Sequence, residues 1–407
     1  MKIAIVSINY APEHTGIAVY STGMAEYLAE CGMTVTVYTG FSYYPLWLKN
    51  ADDRKRLYRQ ERPNAVLLRR SYLYVPGQPT AVKRIVHELS FVISATINYL
   101  FGPRADCTII VSPPLFLGIP IALIAKLKRS KTIFHVQDLQ PDAAVDLGML
   151  KKGALTDFLF FIERLTYRLV DRVSTISQGM LKKISDKGIK SGKLFLFRNW
   201  ANDDYIMPMD KATSYRHELA LHNKFVVLYA GNMGVKQGLS LLLETAHILR
   251  NIHEFVFLIA GDGGEKQELQ HRAEEFGLRN VIFLPVQPYE RLSELLATAD
   301  VSVIPQKKGV NDIVLPSKLS NILASQRPLI AAAAEQSEFG KIVLESGGGL
   351  LVEPGEPQQM ADAIVRLYQH PEECRGMARN GRDYMEKRLG REAILDEFAR
   401  RLDSRLE

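Results

Sequence analysis

A chain of 407 residues is longer than one ordinary core organises, so two domains of roughly 200 residues each are expected. Its 47% apolar and 24% charged residues place it among soluble globular proteins and away from disordered or fibrous chains. Cys31, Cys107 and Cys374 lie far apart without a CxxC pair, which argues against a disulfide framework or structural zinc and fits a reducing cytoplasm. The net charge of +6 is uneven: residues 1–200 carry 27 basic against 15 acidic side chains, a net +12, and residues 201–407 carry 24 against 30, a net −6. A basic half fits an anionic partner, whether nucleic acid, anionic lipid or an anionic substrate.

The N-terminal run "MKIAIVSINYAPE" is too short in its apolar part for a secretory signal and reads as the first strand of a sheet. Further strands are expected at 33–39, 65–70, 107–112, 131–136, 172–176 and 193–197, with helices near 17–31, 80–101, 115–128, 154–170 and 178–188. Pro113, Pro114 and Pro120 break the uncharged stretch 108–125 into strand, turn and helix rather than a membrane span. The very apolar "KRIVHELSFVISATINYLF" (83–101) fits a buried helix, or one resting an apolar face on a bilayer beside the basic clusters 52–63 and 126–131. The polar segment 199–224 reads as a linker. A second alternating series follows, with strands at 225–230, 254–260, 280–284, 300–304, 328–332 and 349–352, then a charged helical tail from about Pro371. Strand–helix alternation of this kind predicts an α/β fold of two Rossmann-like, doubly wound domains, residues 1–198 and 225–385, facing a cleft.

In such sheets ligands sit beyond the carboxyl ends of the strands, and the chemistry-bearing motifs fall there. "FVVLYAGNMGVKQGL" (225–239) is a buried strand followed by Gly231, Asn232, Gly234 and Lys236, with a helix expected from about Val235. Free N–H groups at that helix start make a seat for an anion, and a lysine in the first turn has the wrong charge for the helix dipole unless an anion sits above it. The glycine spacing is not that of a Walker A loop. Gly261, Asp262 and Gly263, in "GDGG", form either a tight turn with Asp262 capping the next helix or a close backbone approach to ligand. Ser317 and Lys318 open a helix, with Asn321 one turn on, suited to phosphate and to a ribose hydroxyl or base. In the basic half Gly16 opens a second helix, and His135 ends a strand with Asp138 three residues on, a pair suited to sugar or phosphate recognition. Several anion-binding turns with few acids nearby point to a diphosphate held without metal, as in a sugar nucleotide.

The ordered set "TGIAVY", "FHVQDL", "AGNMGVKQGL", "IAGDGG", "ADVSVIPQ" and "LPSKLSNILASQRPLI", spread over nearly the whole chain, resembles glycosyltransferase family 4. "YYPLW", "YVPGQPTAVKR" and "VLPSKLSNILA" look closest to the colanic acid fucosyltransferase group of bacterial exopolysaccharide enzymes. The resemblance implies a GT-B fold, with a C-terminal domain holding the nucleotide sugar, an N-terminal domain holding the acceptor, and a final helix, 386–407, packing back on the first domain. It implies a retaining hexosyltransferase needing neither metal nor other cofactor, with a GDP- or UDP-linked sugar as co-substrate. By the same resemblance Lys236 neutralises the departing diphosphate, His135 lies near the donor sugar, Gly16 lies near the phosphates, and the base is read near Val286. Two positions depart from the family pattern: Asn232 stands where many members carry arginine, and Asn321 where many carry a ribose-binding glutamate, with Asp312 beside the place of a second one. The implied partners are the nucleotide-sugar donor, a polyprenyl-diphosphate-linked acceptor and the anionic surface of the inner membrane, with no nucleic acid, which places the protein in the cytoplasm as a peripheral membrane protein. A nucleotide-sugar epimerase of the same fold, and a non-catalytic nucleotide-sugar-binding protein, fit the same residues.

Overall fold

In a computed structural model the described residues are 1–13, 16–44, 46–146, 153–200, 206–308 and 317–404. They divide into two compact units, Met1–Asn199 with Leu395 onward, and Trp200–Ile394.

The first unit runs β1 (Lys2–Val6), α1 (Ile17–Glu30), β2 (Thr34–Gly40), β3 (Tyr58–Glu61), β4 (Leu67–Ser71), α2 (Ala81–Leu100), β5 (Cys107–Ser112), α3 (Gly118–Leu127), β6 (Lys131–Val136), α4 (Gln140–Asp146), α5 (Ala154–Leu169), β7 (Arg172–Thr175), α6 (Gln178–Asp186) and β8 (Leu194–Leu196). Among the described residues its sheet has the order β3-β4-β2-β1-β5-β6-β7-β8, parallel except where β3 pairs antiparallel with β4. A strand covered by helices on both faces must be apolar on both, and β5, "CTIIVS", is buried at every position. The order reverses between β1 and β5, so the loops after these two strands are where this sheet opens to a ligand.

The second unit runs β9 (Phe225–Ala230), α7 (Ser240–Ile248), β10 (Phe255–Ala260), α8 (Lys266–Glu275), β11 (Val281–Leu284), α9 (Leu292–Ala297), β12 (Val301–Pro305), α10 (Ser317–Ala324), β13 (Leu329–Ala332), α11 (Glu338–Ser346), β14 (Gly349–Val352), α12 (Pro357–Gln369) and α13 (Pro371–Tyr384). Its all-parallel sheet has the order β11-β10-β9-β12-β13-β14, the Rossmann arrangement, with the reversal between β9 and β12. Apolar side chains fill both faces, Leu228 and Val256 on one and Val227 and Phe257 on the other.

The segment read as a linker, 199–224, belongs to the second unit from Trp200 onward. Ile206, Tyr215 and Leu221 enter its core, and the buried Arg216 pairs with Asp300 and donates to the Lys224 carbonyl at 3.0 Å. Arg216 is thus satisfied inside the fold, and the described residues from Ile206 onward pack with the second unit. The last helix, α14 (Arg391–Ser404), belongs to the first unit from Leu395, where Phe398 stacks on Phe197 at 4.0 Å between ring centroids. No helix among the described residues is long and apolar enough to cross a membrane.

Candidate functional site

The end of β9 and the end of β10 interlock through backbone. The Gly231 N–H donates to the Ala260 carbonyl at 2.9 Å, Met233 N–H to the Asp262 carbonyl at 2.8 Å, and Glu265 N–H back to the Met233 carbonyl at 2.9 Å. Only glycines permit this approach: a Cβ on Gly261, where φ is 147°, would stand 1.9 Å from the Gly231 carbonyl oxygen, and one on Gly263 would stand 2.3 Å from that of Met233. The loops after β9 and β10 are therefore locked into one platform.

The expected helix from Val235 is absent. Gly234 caps a single 3-10 turn, Val235–Gln237, which stops where Gly238 takes a left-handed φ of 63°, and α7 begins at Ser240. Lys236 stands in that turn; its side chain, like that of Ser317, and the whole of Asp312 lie outside the described residues. Asn232 is exposed on the platform, its carbonyl accepting from the Tyr229 hydroxyl at 2.5 Å. Asp262 does not cap α8, which starts at Lys266; its carboxylate accepts from the adjacent Gly263 N–H at 2.8 Å.

Lys318 reaches this platform from α10. A Cβ on Gly231 would lie 2.0 Å from Lys318 Cε, so the lysine stem lies across the glycine, and Nζ is 5.4 Å from the Tyr229 ring centroid. The ammonium is half-buried with no carboxylate partner among the described residues, and desolvation lowers its pKa. Asn321, one turn on, lines with Lys318 a cavity of about 30 Å³, room for a water molecule. Ser302 lines the same cavity, and its buried hydroxyl has no hydrogen-bond partner among the described residues. A cation without a carboxylate partner, an amide and a hydroxyl without a hydrogen-bond partner among the described residues thus meet beside the glycine platform. The sequence marked Lys318 and Asn321 but not Ser302, whose place inside β12 carries no local signal. Val286, beyond β11, is exposed in a loop held by the Tyr215 hydroxyl donating to Gln287 at 2.9 Å.

In the first unit, Gly16 is the N-cap of α1 with φ 58° and no side-chain cap. The loop before it is anchored by Glu13, unmarked in the sequence reading: its buried carboxylate accepts from Tyr43 N–H at 2.8 Å, Tyr44 N–H at 2.9 Å and the Asn9 amide at 2.7 Å. His135 is taken up by the first sheet. It is 2% exposed, inside β6, with Nδ1 2.9 Å from the Ser174 hydroxyl and Nε2 2.9 Å from the Gln137 amide, which also pairs with Asn199. Full burial pushes its pKa down to about 3, so the imidazole is neutral and both nitrogens are occupied. Asp138, exposed at the strand end, is not among its partners; the protein around it raises its carboxyl pKa. Gln137, which covers the histidine, was not marked because an amide beside a histidine gives no signal in sequence.

The buried histidine sets a pH dependence. Unfolded, it takes a proton near pH 6.5, whereas folded it stays neutral to about pH 3, so the unfolded state binds more protons in that window. Stability should then fall as pH drops, by up to about 1.4 kcal/mol per unit from this group. Denaturant unfolding at pH 7 and pH 5 is expected to show a smaller acid loss in His135→Gln than in the parent; equal losses would mean the imidazole is not held neutral.

Comparison with known proteins places these features. Residues 15–200 match the family described as Glycosyl transferase 4-like domain, and residues 211–384 match Glycosyl transferases group 1. An Escherichia coli K12 protein, named as the colanic acid biosynthesis glycosyl transferase WcaI, is 36% identical over 98% of this chain and 98% of its own. Sucrose-phosphate synthase from Thermosynechococcus elongatus superposes with a TM-score of 0.71 at 19% identity, covering 99% of this chain and 98% of that one. Anabaena HepE, solved in complex with UDP, gives 0.69 at 17% identity over 99% and 100% of the two chains.

Proposed function

Since this chain belongs to glycosyltransferase family 4 and has the GT-B architecture of two Rossmann-like units, we propose that it moves a sugar, with retention and without a metal ion, from a nucleoside-diphosphate donor to a lipid-linked oligosaccharide in exopolysaccharide assembly. The observation that carries the donor half is the desolvated Lys318, without a carboxylate partner among the described residues, laid over the Gly231 platform at the switch point of the second sheet. Such a cation is costly until an anion arrives, and a diphosphate supplies one. Lys236, Asn232, Gly234 and Ser317 complete the phosphate seat, Asn321 takes the ribose, and the loop at Val286 receives the base. Lys236 meets the charge that grows on the diphosphate as the sugar–oxygen bond breaks. A place in colanic acid assembly accords with the likeness to the Escherichia coli protein, and fucose from a GDP donor is what the sequence resemblance implies. The acceptor belongs to the basic first unit, working from the cytoplasm against the anionic inner-membrane surface.

Titration calorimetry with GDP, UDP, dTDP and ADP, in chelator, tests the donor half. One nucleotide is expected to bind, and Lys318→Ala to weaken it by about 1–2 kcal/mol. Binding by none of the four, or an unchanged affinity in the variant, would refute the seat. Release of free sugar or an isomerised nucleotide sugar without acceptor would instead favour the epimerase reading.

A further inference from the structure

Helix α2 is apolar on both sides, and only one side is used. Phe91, Val92, Ala95 and Tyr99 enter the core, while Val82, Ile85, Leu89, Ile93, Ile97 and Leu100 face outward in steps of three and four along about 27 Å of helix. Ile93 is 62% exposed, in the middle of that row. An outward row of this length is not the scatter of single apolar residues that ordinary surfaces carry. It continues sideways: α3 packs against both α2 and α5, Leu127 at its end is 81% exposed, and α5 adds exposed Phe158 and Phe161.

Charge decides what covers this face. Around it stand exposed Lys83, Arg84, Lys126, Arg129, Arg164 and Arg168, and among the described residues of these helices the one exposed carboxylate is Asp157. A two-fold contact with a second copy would bring this cationic rim against itself, which like-charge repulsion opposes. An anionic lipid surface offers what both parts need, acyl chains for the apolar row and headgroup phosphates for the rim. The other side of α2 is committed to the core, so the helix would lie in the interface plane rather than cross it.

We propose that the outer row of α2, with the adjoining ends of α3 and α5, is the face by which this protein docks on an anionic bilayer. The proposal deepens the reading of a lipid-linked acceptor, on which its purpose rests, by assigning the surface. Docking there holds the first unit at the depth where a lipid-linked acceptor presents its sugar.

The test is co-sedimentation of the full chain with vesicles of phosphatidylcholine alone or mixed with phosphatidylglycerol. The parent is expected to bind the mixed vesicles and not the neutral ones, and Ile93→Glu/Ile97→Glu to lower the partition coefficient at least about tenfold. Lys126→Gln/Arg164→Gln should lower it several-fold and flatten its dependence on salt. Circular dichroism and denaturant unfolding of each variant show that its first unit is folded, since nucleotide titration reports only on the other unit. Parent protein that ignores mixed vesicles, binds neutral ones equally, or keeps its partition after the isoleucine changes would overturn the proposal. So would a dimer in sedimentation velocity that Ile93→Glu/Ile97→Glu splits, which makes the face a self-interface. Vesicle binding without any nucleotide binding would leave the docking face standing and remove the transferase reading instead.

Discussion

Replacement of Lys236 by alanine should lower single-turnover sugar transfer by about 10²–10³-fold with a much smaller change in donor affinity, the signature of a group that acts on charge developing in the transition state. The leaving diphosphate gains negative charge as its bond to the sugar breaks, and in this reading a metal does not absorb it. The short turn Val235–Gln237 sets the Lys236 backbone beside the glycine platform. Lys318 is expected to behave differently. Its charge stands ready in the resting protein, so Lys318→Ala should raise KM for the donor more than it lowers kcat. Rapid-quench measurements on both variants check the division of labour: a Lys236→Ala rate within about threefold of the parent would remove that lysine from the chemistry.

The second large effect concerns Gly261. Alanine there would set a methyl group 1.9 Å from the Gly231 carbonyl oxygen at a φ of 147°, and backbone on both sides has nowhere to go. The turns must separate, breaking the hydrogen bonds that tie Gly231, Met233 and Glu265 across the two loops. A cost of about 3 kcal/mol or more in the second unit is expected, with loss of nucleotide binding even where the variant still folds. Gly264→Ala is the control, since a Cβ there meets nothing within 4 Å, and it should change stability by less than about 1 kcal/mol. Denaturation curves for the pair, followed by nucleotide titration, decide it; equal stability of the two variants would mean that the loops are not locked.

Much of this fold is legible in the sequence because parallel strands buried on both faces must be continuous apolar runs, as β5 and β10 are. The elements that escaped lack that signal. β3, "YRQE", is a polar edge strand, and α4, "QPDAAVD", begins with glutamine, proline and aspartate that resemble a loop. The helix expected at Val235 failed on Gly238, whose left-handed backbone punctuates the run. At the site, glycine turns after strands were readable as close backbone approaches. That Lys318 would lie on Gly231 was not, because the contact joins loops on two neighbouring strands far apart in sequence. The burial of His135 was hidden for a related reason: a histidine near a strand end looks accessible until its neighbours, Ser174, Gln137 and Phe197, are known.

The return of α14 to the first unit also orders biogenesis. The second unit is one continuous stretch and can close as soon as Ile394 has left the ribosome, whereas the first cannot stack Phe195 and Phe197 on Phe398 until that residue has been made. The half of the protein made first is therefore the last to be finished. During that wait its exposed aromatic edge is a natural client surface for chaperones, and a nonsense codon just before Leu395 would leave an intact second unit joined to a first one permanently open.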